Sequence, residues 1–485
     1  MWYSSIFNGD LNVVIYAINI MIALAIIFLE RKNPSSTLAW VLVLFFLPIV
    51  GLLLYLVFSQ NISRQRIYRL TDSENAIISG SLHEQIKAMD ENRFIYENET
   101  SAQWSHMIKL NQIYGNAFLT QNNSVELYTD GREMFHALLR DIRNAKYSIN
   151  VMSFIIKDDM VGRKLLDALA KKAEEGVEVR LLVDALGSRS INGRKLRDFE
   201  RAGGKVAYFF KPKLKYLTLR FNYRNHRKIV VIDEEIGYTG GFNIANEYLS
   251  FKKKFGYWRD THLRIVGGAV QDLNAVFILD WRFTSKENLE LKELYYTPVS
   301  QQGNSAIQIV MSGPNSERVE IKRGMMRMIT YASKSIYLQT PYFVPDSSML
   351  ESLKMAAQSG VDVKIMIPKM PDHMFVYWAT LSYCGELIKS GAKVYIYNNG
   401  FLHAKTLVVD GEVATVGSAN FDRRSFRLNF EANAFVYDKD FALKMEDEFH
   451  KDMELSKELT LRKYNRRKTI IKIKEAISRL LSDIL

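Results

Sequence analysis

Two runs near the start of the chain, residues 11–29 and 38–58, are almost wholly apolar and carry no charge. At a rise of about 1.5 Å per residue, each would reach ~30 Å as a helix, the thickness of a hydrocarbon core. The stretch between them, Glu30 to Thr37, is short and polar and contains Pro34. This pattern predicts a hairpin of two membrane-spanning helices with both ends on one side. A cleaved signal peptide fits less well, because Met1–Asp10 has no Lys or Arg and a second apolar run follows at once. Residues 61–112 are polar and charged, with helical propensity, and are expected to form a connector.

Beyond the connector the apolar pattern repeats itself. Glu175-Gly176-Val177-Glu178-Val179-Arg180 parallels Ser359-Gly360-Val361-Asp362-Val363-Lys364, and Gly203-Gly204-Lys205-Val206 parallels Gly391-Ala392-Lys393-Val394. Short β-branched runs alternate with amphipathic stretches in both halves, which predicts two copies of an α/β unit built on a mixed, largely parallel sheet. The halves are expected over 113–290 and 304–460, separated by the polar segment 287–303.

Each half also carries the same constellation. His226 and Lys228 lie two apart with Asp233 five further on, and His403, Lys405 and Asp410 repeat that spacing. A small-residue turn ending in an Asn follows each: Gly240-Gly241-Phe242-Asn243 and Gly417-Ser418-Ala419-Asn420. One copy would be a chance match; two with matching tails are not. A His and a Lys at i and i+2 on a strand point to one face, and the runs Ile229–Ile232 and Thr406–Val409 that follow read as buried strands. Each pair is therefore expected at a strand start in a shared cleft. Imidazole can attack phosphorus and move protons near neutral pH. A Lys supplies a compact charge for phosphate oxygens. Asp233 and Asp410 fall on the opposite face and are expected to anchor the turn without doing chemistry. Metal-ligand spacings are absent, and neither metal nor cofactor is expected.

The paired motif resembles the HKD motifs of the phospholipase D superfamily. Over essentially its whole length the chain is similar to the bacterial cardiolipin synthase family, through Glu30–Pro34, Tyr238–Ile244, Trp258–His262, Gln339–Phe343, Phe401–Lys405 and Ser425–Glu431. The resemblance implies two tandem phospholipase D-like α/β sandwich halves that share one active site. It also implies transfer of a phosphatidyl group from one phosphatidylglycerol to another through a phosphatidyl-histidine. His226 is the expected nucleophile and His403 the expected acid and base. Each His should have a carboxylate on its other ring nitrogen, and the resemblance assigns Asp260 and Glu431 to that task. Asn243 and Asn420 would add hydrogen-bond donors. The motif residues do not encode the acceptor, so a hydrolytic phospholipase D or a transferase using another alcohol remains a reading. A membrane-tethered nuclease is a further one.

Net charge refines the picture. The chain carries +12 at neutral pH, which suits a polyanion or an anionic membrane, and the apolar hairpin favours the membrane over nucleic acid. Phosphatidylglycerol and anionic lipids are the expected partners, and self-association is open. Arg64, Arg66 and Arg69 after the second run outweigh Arg31 and Lys32 in the hairpin loop, so the catalytic region is expected on the cytoplasmic side of the cell membrane. The single Cys384 excludes an internal disulfide. Two basic features are candidates for lipid contact. Lys211, Lys213, Lys215, Arg220, Arg224 and Arg227 lead into the first motif, among Tyr216, Leu217 and Phe221. In the tail, residues 461–485, Ile470, Ile473, Ile477, Leu480 and Ile484 recur at helical spacing among basic residues.

Overall fold

The computed structural model describes residues 17–24, 27, 34–47, 50–52, 55, 67–68, 70–191, 193–211, 223–291, 302–370, 372–480 and 482. Contacts divide the chain into two units, residues 1–64 with 212–223, and residues 65–211 with 224–485. In the first unit a helix spans Pro34–Phe46. Among the described residues no helix is long and apolar enough to cross a membrane. The expected spans 11–29 and 38–58 lie partly outside the described residues. Arg31, Lys32, Arg64, Arg66, Arg69, the loop positions from Lys213 to Phe221, and Ile484 lie outside them altogether.

The second unit is a duplicated α/β structure. Its first half contributes β1 (Thr120–Asp130), β2 (Ser148–Ser153), β3 (Glu178–Asp184), β4 (Lys205–Phe209), β5 (Arg224–Asn225), β6 (Ile229–Ile232), β7 (Ile236–Gly240) and β8 (Trp258–Val266). Its second half contributes β9 (Ser305–Ser312), β10 (Ser335–Gln339), β11 (Phe343–Val344), β12 (Asp362–Pro368), β13 (Lys393–Tyr397), β14 (Phe401–Leu402), β15 (Thr406–Val409), β16 (Val413–Gly417), β17 (Phe421–Asp422), β18 (Asn429–Tyr437) and β19 (Ser456–Glu458). The first sheet runs β1-β8-β7-β6-β2-β3-β4. The second runs β9-β18-β16-β15-β10-β12-β13-β19, the same order with one added edge strand. Strand β1 also pairs with β9 and so joins the sheets. Parallel pairing within the sheets is confined to β2-β3-β4 and β10-β12-β13. The expected largely parallel sheet is thus corrected. Strands β6 and β7, and likewise β15 and β16, pair as antiparallel hairpins, because the short turns between them leave no room for a crossover.

Helix formation follows the apolar spacing. In Gly131–Asn144, Met134, Leu138 and Ile142 recur every fourth position and are buried. Asp130 caps the helix by accepting from the Arg132 amide at 2.7 Å. These side chains pack on Val151, Leu181 and Val230 of the sheet, and truncating one such Leu to Ala would cost about 2–5 kcal/mol. The region expected as a connector takes part in the second core. Trp104, Met107 and Ile108, on either side of the start of helix Ser105–Gly115, are buried with Val310, Ile321 and Met325. Thr71 and Glu74 form a capping box at the start of helix Asp72–Asp90.

Candidate active site

Each motif begins with a two-residue strand that crosses to the other half. Strand β5 pairs in parallel with the start of β18, and β14 pairs in parallel with the start of β8. The His226 amide continues the first pairing by donating to Phe430 O at 2.9 Å, and the His403 amide continues the second by donating to Arg259 O at 2.7 Å. This exchange decides which carboxylate each His meets. His226 Nδ1 lies 3.0 Å from Glu431 Oε2 on β18, and 3.2 Å from Ser418 O. His403 Nδ1 lies 2.5 Å from Asp260 Oδ2 on β8. Each imidazole is therefore held by a carboxylate from the opposite half. A neutral ring that donates Nδ1–H to the carboxylate keeps Nε2 for chemistry.

The lysines curl back on the same strand starts. Lys228 Nζ donates to His226 O at 2.6 Å, and Lys405 Nζ to His403 O at 2.5 Å. Lys405 Nζ also lies 3.0 Å from His403 Nδ1 and 3.3 Å from Nε2. Both lysines and both carboxylates are buried, whereas the His226 and His403 side chains keep 12% and 10% exposure. Aromatic rings wall the site. Phe154 is 4.8 Å from the His226 ring, and Trp258 is 5.1 Å from the His403 ring.

Burial sets the electrostatics. It lowers the pKa of His226 and outweighs the opposing pull of Glu431. Burial, then the Lys405 charge, pushes His403 down to about 4 against Asp260. Burial pulls Lys228 down to about 7 against Glu431, with Lys405 adding to the fall. Lys405 is lowered likewise, against Asp260. Burial opposes ionisation of Glu431 and Asp260, yet interaction with the His partner and the neighbouring lysines outweighs it and lowers both. The result is two neutral imidazoles, two ionised carboxylates and two lysines, one poised near neutrality.

The other expected residues fall as follows. Asp233 accepts from the amides of Lys146, Tyr147 and Ser148 at 2.7–2.9 Å. Asp410 accepts from those of Ser333, Lys334 and Ser335 at 2.7–2.8 Å. Each opens a tight hairpin turn with positive φ, 52° and 57°, and ties the turn to the start of a neighbouring strand. Asn243 Oδ1 accepts from the Ile155 amide at 3.2 Å, and its Nδ2 donates to Tyr248 Oη at 2.9 Å. Asn420 is buried, and its Oδ1 has no protein partner. Arg224 and Arg227 are also buried, which corrects their assignment to a lipid-facing loop. Arg227, between His226 and Lys228, donates from Nη1 to Asp280 Oδ2 and Tyr68 Oη, both at 2.8 Å. Its Nε donates to Glu431 O at 3.1 Å. Sequence reasoning missed this network and the walls formed by Phe154 and Trp258. Trp258 lay within a stretch already singled out; nothing in the chain pointed to Tyr68 or Asp280. Among the described residues no group of three or more His, Cys, Asp or Glu is placed to hold a metal ion.

Duplicated sheets that exchange strand starts to bring together two His/Lys pairs define a phospholipase D-like phosphodiester-transfer fold. Residues 138–266 and 325–453 both match the family described as "Cardiolipin synthase, PLD-like domain". Residues 17–60 match "Phospholipase_D-nuclease N-terminal". A cardiolipin synthase of Oceanobacillus iheyensis is 48% identical over 470 residues, covering 97% of this chain and 98% of that one. The major cardiolipin synthase ClsA of Bacillus subtilis is 48% identical over 471 residues, with the same coverage of both chains. The crystal structure of phosphatidylserine synthase from Haemophilus influenzae superposes with a TM-score of 0.60 at 16% identity. It covers 78% of this chain and 97% of that chain and shows the shared fold. The chain belongs to the cardiolipin synthase family of the phospholipase D superfamily.

Proposed function

We propose that the protein is a cardiolipin synthase that joins two phosphatidylglycerol molecules, with His226 as nucleophile and His403 as acid and base. His226 Nε2 attacks the phosphorus of the first lipid. The bond from phosphorus to the headgroup glycerol breaks, and His403 protonates the departing oxygen. A phosphatidyl-histidine and free glycerol result. The primary hydroxyl of a second phosphatidylglycerol then gives its proton to His403 and attacks phosphorus. The P–N bond breaks and cardiolipin leaves. The steps are reversible, so one group serves as acid and then as base. Lys228 and Lys405 stabilise the phosphoryl oxygens. The anionic phosphodiester they bind raises both imidazole pKa values, so a proton stays within the pair.

The observation that supports this most is the exchanged carboxylate pairing, which gives each imidazole the same orientation and tautomer. The test is product analysis: detergent-solubilised protein with phosphatidylglycerol alone, followed by mass spectrometry of lipids and glycerol. Cardiolipin and glycerol in equal amounts are expected. Phosphatidic acid as the main product would make water the acceptor and overturn the synthase reading.

The same proposal places residues 11–29 and 38–58 across the cell membrane, with the catalytic unit on the cytoplasmic face. Ile20, Met21 and Leu24, and Leu38, Leu42 and Phe45, are exposed apolar side chains within these runs, which suits contact with lipid. Cysteines placed in residues 30–37 should label from outside intact cells, and labelling only after lysis would reverse the orientation.

A further inference from the structure

The tail helix Thr469–Leu480 is docked with its polar side inward. Ser478 and Glu475 are buried, while Ile470, Ile473, Ile477 and Leu480 are 48–81% exposed. At about 100° per residue these four positions fall within a stripe roughly 80° wide, on the side opposite the buried pair. The inward side is fastened by charges. Arg467 donates to Glu475 from Nε and Nη2 at 2.8 and 2.7 Å. Arg479 pairs with Glu386 and lies 4.5 Å from the Tyr383 ring centroid. Just before this helix, Tyr464 packs where Gly385 leaves room, since a Cβ there would sit 1.8 Å from its ring. The apolar stripe is thus held outward by the packing of the opposite face. Lys472 and Lys474, both exposed, lie on either side of it, with Arg466 and Lys468 at its start.

The supporting helix, Met374–Lys389, continues the apolar surface. Met374 and Phe375 in its first turn are 54% and 55% exposed. Trp378 one turn on lies 5.4 Å from Lys474 Nζ. Just before that turn, Asp372 accepts from Tyr342 Oη. Tyr342 follows Thr340, whose Oγ1 accepts from the Phe421 amide at 3.1 Å, directly after Asn420 of the second motif. The apolar and basic surface therefore lies close to the reaction site.

We propose that this tail helix, with Met374 and Phe375, lies flat in the surface of an anionic lipid leaflet and seats the site opening against it. Charge complementarity selects the occupant: an apolar stripe between lysines matches an interfacial helix on anionic lipid, whereas a second copy of this basic chain would be repelled. The proposal concerns docking and does not depend on which reaction follows.

The test uses the full chain in proteoliposomes with a fluorophore on Ile473→Cys. Cys384 is buried and does not compete for label. Lys171→Cys, exposed on the first half, is the control. Quenching by doxyl-labelled lipid is compared in phosphatidylcholine alone and with phosphatidylglycerol added. Residue 473 should be quenched strongly in the anionic vesicles and little in the zwitterionic ones, with position 171 unchanged in both. Lys472→Gln with Lys474→Gln should shift the inserted-to-free ratio by roughly 25-fold, at about a factor of five per charge. No quenching at 473, or equal quenching in both lipids, would overturn the proposal. So would shielding in detergent that rises with protein concentration, which would assign the stripe to a second copy.

Discussion

Replacing Glu431 by Gln removes one charge from the centre of the site and little else. Gln keeps the shape and can still accept from Asn429 Nδ2, now 3.2 Å from Glu431 Oε1, so the variant should fold. What it loses is the anion 3.0 Å from His226 Nδ1. In the proposed mechanism the His226 ring becomes cationic as it attacks phosphorus. Two unit charges about 4 Å apart, at an effective dielectric of about 20, interact by about 4 kcal/mol. Losing that stabilisation in the transition state corresponds to roughly a thousandfold in rate. We expect kcat for glycerol release to fall about 10³-fold with KM changed by no more than a few-fold, measured on phosphatidylglycerol in mixed micelles. The loss should deepen with pH. Glu431 now holds the Lys228 pKa up against burial, and without it Lys228 drops below about 7 and loses its charge sooner. The deficit at pH 8 should therefore exceed that at pH 6. A kcat within about fivefold of the parent would refute the role assigned to Glu431 and to the exchanged pairing.

Three further outcomes are expected. The kcat/KM profile should be bell-shaped: rising pH removes the Lys228 charge through about 7, and falling pH protonates the nucleophile His226, whose pKa burial holds below the ordinary imidazole value. A flat profile from pH 5 to 9 would contradict the role assigned to the Lys228 charge. Arg227→Ala leaves the buried Asp280 carboxylate without its counter-charge and should cost about 3–5 kcal/mol of stability. Tyr68→Phe removes one hydroxyl from the same network and should cost only about 1–3 kcal/mol, both read from chemical denaturation. Asp410→Ala strips the partner from three backbone amides and should lower Tm, with kcat per folded molecule within several-fold of the parent. A large kcat loss at unchanged Tm would place Asp410 in the chemistry.

The repeated motif and the duplicated α/β units were legible because β-branched apolar runs and Gly-Val turns recur in the same sequence in both halves. The exchange that builds the site was not. Strands β5 and β14 are two residues long and leave no periodicity, and their partners lie some two hundred residues away in one case and about 140 in the other. Asp260 and Glu431 were reached through resemblance, without the knowledge that each serves the opposite half. Arg227 read as one more charge in a basic run, because its burial depends on Asp280, on a helix 53 positions further along. For the tail helix, amphipathic spacing identified two faces and could not say which is buried. Arg467–Glu475 and Arg479–Glu386 decide that the polar one is.

The proposed transfer requires one composite site in which a His from each half acts on the same phosphodiester. Trapping the intermediate tests this most directly. Protein turning over phosphatidylglycerol would be quenched in denaturant at mildly alkaline pH, which spares both the P–N bond and the acyl esters, then digested and mapped by mass spectrometry. A phosphatidyl adduct on His226, absent from His226→Ala, with turnover also lost in His403→Ala, is the predicted result. Full turnover in either alanine variant, or turnover with no adduct on any histidine, would contradict it.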